Sequence, residues 1–156
     1  MQRESTSPAV SAFVTAARQY QRFIETAAQL PLEERVLEAR RAVLALYVTG
    51  SELPSVKPAG DLEADLWNRD VPWEGFEQFE HYALIFDSYE GGSAVMGSLS
   101  DDLLDIAGDV LPPLELYERG GDAMDEAVWS WRFHFEFHWG AHAIGALGAL
   151  HRASLL

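Results

Sequence analysis

The sequence has no cysteine in its 156 residues. That removes thiolate zinc sites, iron–sulfur clusters and cysteine nucleophiles. Basic side chains are scarce: 11 Lys and Arg stand against 25 Asp and Glu, a net charge of −14. Such a balance argues against nucleic-acid backbones and anionic membrane surfaces as partners. No run of about 18 apolar residues exists, so no spanning helix is expected. The opening MQRESTSPAV lacks the apolar stretch of a signal peptide, so a cytoplasmic location is expected. The chain also lacks a G-x-S-x-G elbow, a phosphate-cradling glycine loop and an H-E-x-x-H pair. No cofactor is expected.

What is present is apolar and helical. Hydrophobic residues make up 48% of the chain, too many for disorder. The length fits one domain over 1–156, with residues 1–6 expected as a flexible N-terminus. Ser7-Pro8 reads as a helix start, followed by Phe13, Val14, Ala17, Tyr20, Ile24 and Ala27 at helical spacing. Leu30-Pro31 breaks this helix and opens a second, with Val36, Leu37, Val43, Leu44 and Tyr47 inward and Gly50 at its end. Residues 50–72, rich in Pro and Gly, read as a long loop with one short helical turn near Leu62–Trp67.

A third helix is predicted from about Trp73 to Tyr89, with Trp73, Phe76, Phe79, Tyr82, Ala83 and Phe86 inward. Ser98 and Asp101 form a capping box for a fourth, whose apolar face is Leu99, Leu103, Ile106, Val110 and Leu114. Pro112-Pro113 should kink or split it, since each removes a backbone donor. After Gly120-Gly121 a fifth helix runs from about Asp122 to Ala153, roughly 45 Å long. The fold class is all-α: a single-domain up-and-down bundle of about five helices, with a long loop between the second and third.

Charge is concentrated in the middle. Residues 1–50 carry +1, residues 51–126 carry −16 and residues 127–156 carry +1. Asp61, Glu63, Asp65 and Asp70 flank Trp67 and Trp73 on the long loop. Aromatics rimmed by acids are the pattern of a partner-binding hot spot with a steering rim, and equally of a loop anchored by its tryptophans.

The last helix holds most of the chemistry. On a uniform wheel it shows two apolar stripes, Trp129, Phe133, Phe137, Ile144, Leu147 and Val128, Trp131, Phe135, Trp139, Ala146, Leu150. Two stripes imply a central helix contacted on several sides. Between them sit Arg132 and Glu136, four apart. A charged pair flanked by aromatics needs partners, and Asp102, Asp105 and Asp109 lie along one edge of the fourth helix. A buried polar network of Arg132, Glu136, Asp102, Asp105 and Asp109 is therefore expected, with Arg132 bonded to Asp102 or Asp105. Asp101, Asp102 and Asp105 also spell D-D-x-x-D, a magnesium–diphosphate motif in prenyl-chain enzymes. In the first turns of a short helix the same acids complement the macrodipole.

His134, His138 and His142 form an H-x3-H-x3-H run. Histidines four apart can share a metal, but i and i+8 lie about 12 Å apart, so only one adjacent pair can bind. The candidate ligands are His138 and His142, with a third from His81, Glu77, Glu80 or the fourth-helix aspartates. Surface histidines plus one hydrogen-bonded core histidine is the plainer reading, because the Glu-x-x-His spacing of di-iron bundles is missing.

Three stretches carry a family resemblance: HYALIFDSYE (81–90), GSLSDDLLDIAGDV (97–110) and AVWSWRFHFEFHWGAHAIGALGALH (127–151). Over roughly 7–152 the chain resembles the bacterial domain-of-unknown-function family 5063. The shared features are Phe86-Asp87-Ser88-Tyr89, Ser98 to Ile106, Trp139-Gly140 and Leu150-His151. Ala107 and Pro112-Pro113 depart from the family pattern. The resemblance implies no activity, cofactor or catalytic residue, and members differ at the positions of His138 and His142. The leading expectation for function is a non-catalytic acidic interaction module (an adaptor, regulator or immunity-type inhibitor) meeting a basic protein partner. The alternatives are a metal-binding bundle enzyme using His138, His142 and the fourth-helix aspartates, and an acidic nucleic-acid mimic.

Overall fold

Ser7 accepts a hydrogen bond from the Val10 N–H at 3.4 Å, with Pro8 in the first turn. This is the cap that a hydroxyl before proline allows, and it opens α1 (Pro8–Thr26). The computed structural model describes residues 3–60, 62–65, 67, 73 and 75–156. Helix α2 (Leu32–Ser51) packs along α1, and α3 (Leu99–Glu118) follows a short antiparallel hairpin of β1 (His81–Leu84) and β2 (Val95–Ser98). Gly120 and Gly121, at φ +76° and +61°, turn the chain. They lead into α4 (Asp122–His134), which continues through a π-helical segment (Phe135–Trp139) into α5 (Gly140–Ala153). Residues 4–6, expected to be flexible, form a 3-10 turn with Ser5 buried. The fold is mostly helical, with the four rods enclosing a core of Phe13, Tyr20, Leu46, Leu103, Ile106, Trp131 and Trp139. Among the described residues no helix is long and apolar enough to cross a membrane.

The third helix is not there. Glu77–Phe79 is a 3-10 turn, and His81–Leu84 pairs with Val95–Ser98 in the register His81↔Ser98, Leu84↔Val95. Phe86 is 91% exposed and Tyr89 fully so, in the connection between the strands. The aromatic spacing matched a helix, but a carboxylate decides otherwise. Glu80 accepts from Phe76 N, Ser98 Oγ, Ser100 N and Ser100 Oγ at 2.7–2.9 Å, which fastens β1 to the end of β2 and the start of α3. Burial opposes the charge of Glu80, but those four donors outweigh it and hold its carboxyl below the usual range.

The long loop has no helical turn at 62–65 or 67. It is held instead by two buried charged groups that sequence reasoning passed over. Glu126 accepts from Ala59 N at 2.6 Å, while Arg35 donates to the carbonyls of Ala27, Leu30 and Gly75 at 2.5–2.9 Å. Helix α3 runs through Pro112-Pro113 as one helix, and the nearby Val110 carbonyl receives the Trp131 indole at 2.9 Å.

The last helix departs from a uniform wheel. Before the π segment its buried apolar side chains are Ala123, Ala127, Val128 and Trp131; from the end of that segment onward they are Trp139, Ala143, Ala146, Leu150 and Ala153. The step from Trp131 to Trp139 is one residue longer than two α turns. An inserted residue rotates everything after it by about 100°. The core therefore takes the second stripe alone, which changes phase across the π segment. The other set is surface: Phe133, Phe137 and Ile144 are exposed. Trp139 stabilises the slip by donating its indole N–H to the Trp131 carbonyl at 3.1 Å. Gly50, which lies inside α2 rather than ending it, leaves room for that indole, since a Cβ there would sit 2.5 Å from Trp139 Cη2.

Candidate metal centre

The phase slip aims two histidines at α3. Had the helix stayed regular, His138 and His142 would lie in phase with Trp131, in the middle of the buried stripe. The extra residue turns them to its edge, against the aspartate edge of α3. His138 Nδ1 donates to Asp109 Oδ2 at 2.5 Å, and His142 Nδ1 donates to Asp102 Oδ1 at 2.7 Å. A carboxylate only accepts, so each Nδ1 is the donor, and in the neutral form of the ring the lone pair is on Nε2. His142 Nε2 lies 3.6 Å from Asp105 Oδ2. The two imidazoles meet edge to face with centroids 4.8 Å apart. One ligand atom each from Asp105, His138 and His142 falls within 4.8 Å of the others.

The electrostatics follow from the aspartates. The bond to Asp102 raises the His142 imidazole above its ordinary value, against the opposing effect of burial, and the charges of Asp102, Asp105 and Asp109 add to the rise. Asp102, itself buried, also receives the Tyr82 hydroxyl on Oδ2 at 2.6 Å. Burial, then that bond and the charge behind it, push the Tyr82 phenol far above its ordinary value. It therefore stays protonated and donates. Tyr20, packed beneath, is raised by burial and by the same two aspartates, 102 and 105, and donates to the Leu103 carbonyl at 2.6 Å.

The expected network is thus divided. Arg132 reaches none of the three aspartates. It donates to the Leu53 carbonyl at 2.6 Å and pairs with Glu136 at 3.4 Å, half exposed. The aspartates take histidines and a tyrosine in its place, because the phase slip rotates α5 and not α4. His134 lies before the slip and bonds the Ser130 carbonyl at 2.9 Å. His81, on β1, is exposed and outside the cluster. The capping reading of Ser98 describes α3, whose Asp101 N–H reaches Ser98 Oγ at 3.3 Å. Of the loop residues, Asp61 and Asp70 lie outside the described residues. Glu63 and Asp65 are exposed, with Asp65 4.0 Å from Arg119. Trp67 and Trp73 are half-buried against the core, and Trp73 donates its indole to Ser100 Oγ at 2.5 Å. A groove of about 240 Å³ is lined by Trp67, Pro112 and Asp109, the partner of His138. Local spacing gives no sign of Tyr82 in the site, because it favours a helix there and the partner Asp102 lies twenty residues on.

The family model described as domain of unknown function DUF5063 matches residues 4–155. The chain belongs to the DUF5063 family. A crystal structure of protein BF1032 from Bacteroides fragilis is similar to this DUF5063 chain at TM-score 0.78 and 20% identity, covering 97% of this chain and 95% of that one. At that identity the likeness shows the fold. No curated protein matches the chain.

Proposed function

We propose that this DUF5063 protein binds one divalent transition-metal ion through Asp105, His138 and His142. The observation that carries the reading is the pair of histidines whose Nδ1 atoms are each tied to a separate carboxylate, Asp109 and Asp102. Metal-binding histidines are oriented in this way: the outer carboxylate fixes the tautomer and raises the basicity of the ligand nitrogen. Two imidazoles and one carboxylate form a facial set that leaves positions open for water or substrate, the pattern of an open rather than a structural site. Ligand atoms about 2.1 Å from a shared ion stand about 3.0–3.4 Å apart. A rotamer adjustment of about 1 Å closes the present cluster onto an ion.

The test is metal content and thermal response of protein purified without a histidine tag. One ion per chain is expected after loading with Zn²⁺ or Co²⁺. At a hundredfold excess over the dissociation constant, stabilisation is about 2.7 kcal/mol, or about 5–11 °C in melting temperature for a chain of this size. H138A and H142A should lose both. Substoichiometric metal with no thermal shift in the wild type overturns the reading.

A second reading, a non-catalytic module meeting a basic protein, draws on the surface aromatics. Trp129 stacks on Phe133 at 5.2 Å and Phe137 meets Phe133 at a tilt at 5.0 Å, with Phe137 71% exposed. Salt-sensitive capture of a basic partner, lost in F133S/F137S, supports it; capture unchanged by that variant counts against it.

A further inference from the structure

Tyr82 stands at the junction of three elements. Its hydroxyl donates to Asp102 Oδ2 at 2.6 Å, while the other oxygen of the same carboxylate receives His142 Nδ1 at 2.7 Å. One carboxylate of α3 thus joins the hairpin to α5 with one oxygen for each. The ring is framed by two glycines on different elements. Gly97 is its partner across the hairpin, where a Cβ would lie 2.8 Å from Tyr82 Cζ. At Gly145 on α5 a Cβ would lie 2.7 Å from the Tyr82 hydroxyl oxygen. Gly148, one turn on, has nothing within 4 Å. The small residue at 145 therefore serves this hydroxyl and not a helix–helix contact.

The hairpin does not need Tyr82 to stay docked. Glu80 already fastens it through four hydrogen bonds at the other end of β1. What the Tyr82 hydroxyl adds is a fixed orientation for Asp102. Without it, Oδ2 of a buried carboxylate loses its donor, and the side chain rotates toward the nearest alternative, taking the His142 bond with it.

We propose that Tyr82 is a positioning residue of the metal centre: it holds Asp102 so that Asp102 holds His142, and ion binding and hairpin order are thereby coupled. The inference rests on the metal reading above. Loss of the outer partner Asp102 itself would cost about 10–100-fold in metal affinity, so loss of Tyr82, one hydrogen bond further out, costs up to about 10-fold. Because coupling is reciprocal, a bound ion must also tighten the hairpin.

The experiment uses the full chain and Co²⁺ alone as probe, in wild type, Y82F, G145A and Y117F. Y117F is the control: it removes another half-buried tyrosine bond, to the Ser5 carbonyl at 3.1 Å, away from the cluster. Affinity is read by calorimetry, ligand geometry by the visible Co²⁺ spectrum, and hairpin order by amide exchange over 81–98. Y82F and G145A should bind Co²⁺ about 3–10-fold more weakly with altered spectra, and Y117F within about twofold of wild type. Co²⁺ should slow exchange over 81–98 in the wild type and not in Y82F. If the wild type binds Co²⁺ and Y82F matches it in affinity and spectrum, this inference falls while the metal reading stands. If the wild type takes up no Co²⁺, both fall.

Discussion

Gly140→Ala probes the phase slip on which the candidate site depends. In an ordinary exposed helix position the change gains about 1 kcal/mol, because alanine loses less backbone entropy on folding. At 140 a Cβ would run into the Phe135 carbonyl oxygen and stand 3.2 Å from Phe135 Cδ2. The carbonyl belongs to the wide turn itself, so it cannot retreat without closing that turn. Overpacking against a rigid neighbour costs about 1–3 kcal/mol, and a backbone atom places this case at the upper end. Subtracting the propensity gain leaves a net loss of about 2 kcal/mol, or about 4–8 °C in melting temperature. Gly148→Ala in the same helix is the matched control. It is exposed with nothing within 4 Å, so it should gain about 1 kcal/mol and about 2–4 °C. Thermal unfolding followed by circular dichroism gives the comparison directly. Two variants that stabilise alike would refute the reasoning, since the carbonyl of the π turn would then be free to move.

Three further outcomes are expected. In metal-free protein the raised His142 imidazole contributes stability that is complete below the unfolded value of about 6.5 and is lost as pH rises through the higher folded value. The melting temperature of D102N, which lacks the main cause, should fall less over that window, and parallel pH profiles would contradict the assignment. E80Q keeps the shape but loses the charge that accepts four hydrogen bonds, so denaturant unfolding should show a loss of about 2–4 kcal/mol. Its acid sensitivity should be blunted as well. The depressed Glu80 carboxyl gives stability present above about 4.3 and lost as pH falls through its folded value. G50A meets the Trp139 ring at 2.5 Å and should cost about 1–3 kcal/mol with a changed tryptophan emission; a gain in stability would show that the indole can shift.

Much of the fold was legible because its signals are local. The Ser7-Pro8 start, the Leu30-Pro31 break and the Ser98 cap involve neighbours within four residues, and α1, α2 and α3 begin within a residue or two of where those signals stand. The hairpin was illegible for a matching reason. Its strands are joined by residues 85–94 rather than by a two-residue turn, and Glu80 finds its partners about twenty residues away. Local spacing alone favours the helix that did not form. The candidate site was half legible. Both the aspartate edge of α3 and the histidine run could be read, as could the limit of one adjacent histidine pair. Their pairing could not, and Arg132 looked the better partner for Asp102 and Asp105.

By itself the sequence determined the helical class, the ends of three helices, the acidic middle and the residue types available for chemistry. These depend on hydrogen bonds and apolar periodicity over one or two turns. Tertiary structure decided which residues meet. A single inserted residue between Trp131 and Trp139 rotates α5 by about 100° relative to α4. That rotation sends His138 and His142 toward the aspartates and leaves Arg132 with Leu53 and Glu136. No periodicity count detects it, because the slip is stabilised by Gly50 on a distant helix and by the packing of Trp139 between the rods.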